Sequence, residues 1–282
     1  MKKTLSILFL SFLLLITSVY AASSSEKEIR SLIKEHNSAL THHDTKKLAT
    51  FYDADYRSID GFSLDEMIKM VKDASDAFKN LKYSTKIDSI EINDNLATVK
   101  IQENTKAKIY PVKKKDKRGI LDGYSKYTMY LKKENNTWKI VKEDILEEQT
   151  TLKYGLARRI KFDLITPNYI ENGKDYDLSL KIDKPRNVLA LGSISNEEIK
   201  LPNENYNEKF RKISPDGELE RVVKANANNK NEYALASVGY TKITLREKEK
   251  KIRIQILGVA YIIKRINMIN KTNSEVLVNN NG

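Results

Sequence analysis

Tyr127-Thr-Met-Tyr-Leu-Lys-Lys-Glu-Asn-Asn-Thr-Trp138-Lys-Ile-Val-Lys142 alternates apolar and polar residues, breaks at an asparagine pair, and then resumes. Tyr127, Met129 and Leu131 recur at every second position, the period of a strand that buries one face. Asn135 and Asn136 tolerate the left-handed backbone of a tight hairpin turn. Trp138 and Ile140 open the returning strand, so the segment predicts an antiparallel hairpin with Trp138 in its core.

Toward the N-terminus the same period recurs. Tyr83, Thr85 and Ile87 lead into Ile90 and Ile92, the Asn93-Asp94-Asn95 cluster turns the chain, and Ala97, Val99 and Ile101 alternate with polar neighbours. Before Lys82 the period is helical. Ser25 with Glu28 is a capping-box pattern, and Ile29, Leu32, Ile33, His36 and Leu40 then fall on one helix face. Asp44 caps a short second helix whose Leu48, Phe51 and Tyr52 point inward, and Asp53 to Asp60 reads as an exit loop and short strand. Ser63 with Glu66 repeats the capping box ahead of Met67, Met70, Val71, Ala74 and Phe78, the stripe of a third helix.

Helix, helix, short strand, helix and four antiparallel strands resemble the nuclear transport factor 2-like superfamily, in particular its SnoaL-like and DUF4440-type branches. The Tyr127 to Lys142 hairpin is similar to that family's last hairpin, and Leu48-Ala-Thr-Phe-Tyr-Asp-Ala-Asp-Tyr56 to its second helix and exit. The resemblance implies an α+β fold over residues 22–153, three helices on a curved antiparallel sheet that encloses a cone-shaped pocket. It names no activity, because the family includes isomerases, cyclases, dehydratases and binding modules. The steroid-isomerase branch works with an Asp base facing a Tyr and a protonated Asp; no motif here matches those three, so their roles are not carried over.

Four residues are candidates for lining such a pocket. His36 lies on the apolar stripe of the first helix, where a neutral imidazole could act as base or donor. Tyr52, Tyr56 and Asp60 fall near the expected pocket mouth and suit a polar ligand group. His42, His43 and Asp44 are adjacent, whereas helical metal ligands come four apart. With three histidines and no cysteine in the chain, no metal site is expected. No phosphate loop, nucleophile elbow or H-E-x-x-H motif occurs, so no cofactor and no catalytic set are expected.

The second half, residues 156–270, reads as all β. Ile160 to Leu164, Leu178 to Ile182, Val188 to Ile194, Tyr233 to Val238 and Ile252 onward alternate as strands, and Gly258 marks a bulge. Glu218 to Ala225 reads as one or two helical turns. The spacing of the turn clusters predicts an immunoglobulin-like sandwich, followed by a flexible tail over residues 271–282.

Residues 1–21 read as a secretory signal peptide. Lys2 and Lys3 precede an apolar run from Leu5 to Val19, and Val19 and Ala21 occupy the two positions that a signal peptidase reads. The run is shorter than the about 20 apolar residues of a membrane span. Cleavage after Ala21 would leave a periplasmic or extracellular protein with no membrane span, and with no cysteine it cannot be a lipoprotein. Loss of Lys2 and Lys3 would lower the formal charge from +12 to +10. The densest basic run, Lys113 to Arg118, has no interleaved aromatic residues, so nucleic acid is not expected as a partner. These observations predict a binding module of the bacterial cell envelope that takes a small hydrophobic or polar ligand and could pair as a homodimer through the first domain's sheet. The alternative is a small-molecule isomerase, lyase or hydrolase with His36 or Asp60 as base.

Overall fold

A computed structural model of the chain describes residues 24–78, 80–109, 118–183, 185–200, 209–246 and 251–270. The expected signal peptide, most of the basic run and the expected flexible tail lie outside the described residues.

The first helix, α1, covers residues 24–41 and buries Ile29, Ile33, His36, Ala39 and Leu40 at helical spacing. The Asp44 carboxylate accepts the Lys47 N–H at 2.9 Å and so starts α2 (Thr45–Ala49). Strand β1 (Tyr52–Ser58) follows directly. Helix α3 (Leu64–Ala77) opens on a reciprocal capping box: Ser63 N–H donates to Glu66 Oε2 at 2.8 Å, and Glu66 N–H donates to Ser63 Oγ at 3.3 Å. Two hairpins then form where the alternation predicts them. One joins β2 (Lys82–Asn93) to β3 (Leu96–Ile109), with Asp94 at φ 53° in the turn. The other joins β4 (Gly119–Glu134) to β5 (Thr137–Gly155), with Asn135 and Asn136 at φ 47° and 62°.

A 3-10 turn (Leu156–Arg159) leads into β6 (Phe162–Ile165), β7 (Tyr169–Glu171), β8 (Asp175–Ile182), β9 (Leu189–Glu198), β10 (Arg211–Lys212), β11 (Glu218–Lys224), β12 (Glu232–Arg246) and β13 (Lys251–Ile269). The strands make two sheets. The larger has ten strands along the path β10-β9-β12-β13-β5-β4-β3-β2, with β1 joined in parallel to β5 and β7 in parallel to β13. The smaller runs β11-β8-β6.

This arrangement corrects the expected fold class. A three-helix α+β domain followed by a separate immunoglobulin-like sandwich does not form, because the chain is mostly strand and one ladder takes in strands from both halves. The physical reason lies in β5 and β13. β5 runs for 19 residues, beyond the point where its apolar alternation fades, and β13 pairs with its far end, Gly258 to Gly155 through Lys264 to Gln149. Period-two patterning shows that a segment is a strand and leaves its partner open. The expected helical turns at Glu218 to Ala225 are also corrected. Leu219, Val222 and Val223 mimic helical spacing, yet residues 218–224 pair along their whole length with β8, burying Leu219 and Val223 and exposing Val222.

Compactness divides the described chain into two interleaved units. The first holds residues up to 76, 83–102 and 127–144; the second holds 77–82, 103–126 and everything from 145 onward. Within the second, Leu164, Leu178 and Leu180 of the small sheet face Ile194, Ala236, Val238, Tyr240 and Ile262 of the large one, forming a continuous core. The predicted bulge at Gly258 is present as a register shift between Tyr240 and Thr241. A Cβ on Gly258 would lie 2.6 Å from the Tyr154 carbonyl oxygen and 2.7 Å from the Leu156 and Ala157 nitrogens. Glycine is what lets β13 pass so close to the end of β5.

Candidate functional site

In the first unit, the inward stripe of α1 presents His36 to β1, and β1 alternates so that Tyr52 and Tyr56 both face inward. All three are buried. His36 Nε2 lies 2.8 Å from Tyr52 Oη, and the Tyr52 and Tyr56 rings meet edge-on with centroids 4.8 Å apart. The Tyr56 hydroxyl donates to Glu143 Oε2 at 2.8 Å, and Tyr52 is a second hydrogen-bond partner of the same carboxyl group. A phenol has one proton. With the Tyr52 proton given to Glu143, the His36 Nε2–H donates to Tyr52 Oη, and the chain of protons runs His36 to Tyr52 to Glu143, with Tyr56 converging from the other side.

Burial sets the electrostatics of this chain. Desolvation pushes the His36 imidazole down to about 4, so it is neutral at neutral pH. Burial raises the Glu143 carboxyl above the usual carboxylate range, and the two tyrosine hydroxyls pull against that shift. The Tyr56 phenol is pushed far up, first by burial, then by the Glu143 charge and hydrogen bond and by the Asp60 charge, so it stays a donor. Asp60 itself is half-exposed, in the turn after β1, and acts on Tyr56 through its charge.

Three of the four sequence candidates therefore share one hydrogen-bonded chain, and Asp60 stands beside it. The central carboxylate, Glu143, was not a candidate. β1 advances from Tyr52 to Arg57 while β5 advances only from Ile140 to Lys142. That irregularity turns Lys142 outward and Glu143 toward the tyrosines, against the parity that Trp138 and Ile140 set. No signal in Lys142-Glu-Asp-Ile-Leu-Glu-Glu148 marks the first carboxylate as different from the others.

The second unit holds a cavity of about 510 Å³. Its wall is built from two cross-strand rows. Ser237, Tyr261 and Leu152 are paired neighbours on β12, β13 and β5, and Leu235, Ile263 and Thr150 form the next row. Phe78 and Leu121 also line it, and the lining is almost wholly apolar, with Thr150, Ser237 and Tyr261 its hydroxyl-bearing residues. Sequence reading placed Phe78 on a helix stripe but could not find this cavity, because it depends on the pairing of β13 with β5. A shallower cleft of about 470 Å³ in the first unit is lined by Glu28, Glu35, Thr50, Phe51, Trp138 and Lys139, among others. Trp138 is buried as expected, and its Nε1–H donates to Glu28 Oε2 at 3.1 Å. Neither space is lined by His36, Tyr52, Tyr56 or Glu143. Among the described residues, no group of three or more His, Asp and Glu side chains could hold a metal ion, and no helix is long and apolar enough to cross a membrane.

No protein-family profile matches the chain, and no curated protein matches it. Solved structures do. The Bdellovibrio bacteriovorus protein Bd1075 matches at 19% identity over 42% of this chain and 39% of its own, with a TM-score of 0.34. An NTF2-like protein with a cystatin-like fold from Novosphingobium aromaticivorans matches at 12% identity over 46% of this chain and 86% of its own, with a TM-score of 0.36. A protein with a cystatin-like fold from Caulobacter vibrioides matches at 12% identity over 43% of this chain and 87% of its own, with a TM-score of 0.33. The chain thus spans 39% of the length of the Bdellovibrio protein.

Proposed function

We propose that this is an exported, non-catalytic binding protein of the bacterial cell envelope that holds a small, mainly apolar molecule in the cavity of its second unit. The observation that carries the reading is the cavity itself. Its volume of about 510 Å³ falls in the range of about 300–1,000 Å³ usual for small-molecule sites. The lining suits a hydrocarbon body, with Thr150, Ser237 and Tyr261 as its hydroxyl-bearing residues. Export is supported by the basic start, apolar run and cleavage pattern of residues 1–21. Descent from the nuclear transport factor 2-like superfamily is part of the same proposal, supported by the Tyr127 to Lys142 hairpin and the passage from Leu48 to Tyr56.

Extraction of the purified protein with organic solvent, followed by mass spectrometry, tests whether an apolar molecule copurifies. A fluorescent long-chain fatty acid serves as a direct probe. Ser237→Phe, which pushes a ring into the cavity, is expected to weaken probe binding by about tenfold or more. Equal binding by the variant, with an unchanged circular dichroism spectrum, would refute the cavity as the site.

A catalytic reading is favoured by one observation, the convergence of a neutral His36 and the Glu143 carboxyl through Tyr52. Against it, the hydrogen bonds of this chain are made within the set, whereas a general base must reach a substrate proton.

A further inference from the structure

Beyond Thr241 the ribbon of β12 and β13 leaves the rest of its sheet. The β9 pairing of β12 ends at Thr241, and the β5 pairing of β13 begins at Gly258. Between these points the two strands pair only with each other, Thr241 with Ile256, Ile243 with Ile254 and Thr244 with Arg253. Strand alternation puts Ile243, Ile252, Ile254 and Ile256 on one face. They are 53%, 67%, 66% and 71% exposed. Lys242 and Arg253 lie on the opposite face, also exposed. From Lys242 to Arg253 the sequence holds six Lys and Arg against two Glu.

We propose that this ribbon docks the protein onto an anionic lipid bilayer, with the isoleucine face in the acyl region and the basic face among the headgroup phosphates. Scattered exposed apolar residues are ordinary, but a contiguous row on a projecting two-stranded ribbon marks an interaction surface. Charge selects the occupant. Lys242 and Arg253 stand exposed on the face opposite the isoleucines, in a stretch of sequence where Lys and Arg outnumber Glu, and such a face is complementary to anionic headgroups, whose potential attracts each nearby Lys or Arg. A second copy of the ribbon would bring two equally basic elements together, which is repulsive. Composition points the same way. Protein interface cores are enriched in aromatic residues and methionine, whereas the exposed large apolar side chains described on this ribbon are all isoleucine, which partitions well into hydrocarbon. The face is also continuous with the cavity wall. In the same parity it passes Gly239 and Val259 and reaches Ser237 and Tyr261. The inference does not require the cavity to be filled.

Flotation of the purified protein with vesicles tests it, comparing phosphatidylcholine alone with phosphatidylcholine containing phosphatidylglycerol. At low salt the protein is expected to bind the anionic vesicles at least about tenfold more strongly. Ile254→Asp with Ile256→Asp should reduce that binding by about tenfold or more. Lys242→Glu with Arg253→Glu should remove the preference for anionic lipid, and Ser237→Phe should bind vesicles like the parent, which separates this surface from the ligand site. Absence of binding to anionic vesicles would overturn the proposal. So would unchanged binding by the isoleucine variant, which would mean surface adsorption by charge alone. A concentration-dependent dimer that Ile254→Asp dissolves would assign the face to a second copy instead.

Discussion

Glu232→Ala is expected to lower folding stability by at least about 3 kcal/mol, because the residue is a buried acceptor shared by several donors. Glu232 is 2% exposed. One of its oxygens accepts from the Tyr176 hydroxyl at 2.9 Å and from Asn196 Nδ2 at 3.0 Å. The other accepts from the Asn226 N–H at 2.7 Å and Asn226 Nδ2 at 2.8 Å. These donors stand on β8, on β9 and in the connection from β11 to β12, so one carboxylate ties both sheets of the second unit together. Alanine would leave the buried Tyr176 hydroxyl and the Asn226 N–H without their acceptor, while the Asn196 and Asn226 amides would keep only the Lys224 and Lys230 carbonyls. Glu232→Gln keeps one oxygen and should lose less, and Tyr176→Phe, which removes a single bond, should cost about 1 kcal/mol. Urea unfolding measures all three. A loss below about 1 kcal/mol for the alanine variant would show that the carboxylate does not hold these elements together.

Acid is expected to destabilise the protein through His36. In the folded chain the imidazole titrates near 4, and in the unfolded chain near 6.5. The folded-state value is depressed, so the contribution of His36 is complete above about pH 6.5 and is lost as the pH falls toward 4, about 3 kcal/mol in all. Glu143 works in the opposite sense. Its folded-state value is raised, so its contribution is complete below the unfolded value and is lost as the pH rises toward the folded one. His36→Gln should flatten the acid side of the stability profile, while Glu143→Gln should remove the opposing contribution and make the acid loss steeper. Denaturation midpoints from pH 4 to 7.5 measure both. Identical slopes for the parent and His36→Gln would show that the imidazole is not kept neutral by burial.

Local order was legible in the sequence to the extent that it rests on local chemistry. The Asp44 cap, the Ser63 and Glu66 box and the Asn135 and Asn136 turn are each set by residues within a few positions of one another. So is the placement of His36, Tyr52 and Tyr56 on inward faces. What alternation could not supply was partnership. It could not show that β13 would pair with the distal half of β5, and with that pairing went the expected separate sandwich and any sign of the apolar cavity. It could not single out Glu143 or Glu232 either, since their burial depends on a strand irregularity and on donors far away in sequence. Glu218 to Ala225 misled for the same reason. Its apolar spacing fits a helix, and the free edge of β8 makes it a strand.

The position of β13 between β12 and β5 has a consequence for biogenesis. Residues 251–269 leave the ribosome after every strand they join, so the middle of the large sheet is the last part to be made. Until they arrive, β5 from Gln149 to Gly155 and the length of β12 carry rows of unsatisfied N–H and C=O groups, the template on which nascent chains aggregate. A chain interrupted before Lys251 would therefore yield no smaller stable version of the second unit, only a sticky intermediate for chaperones and proteases.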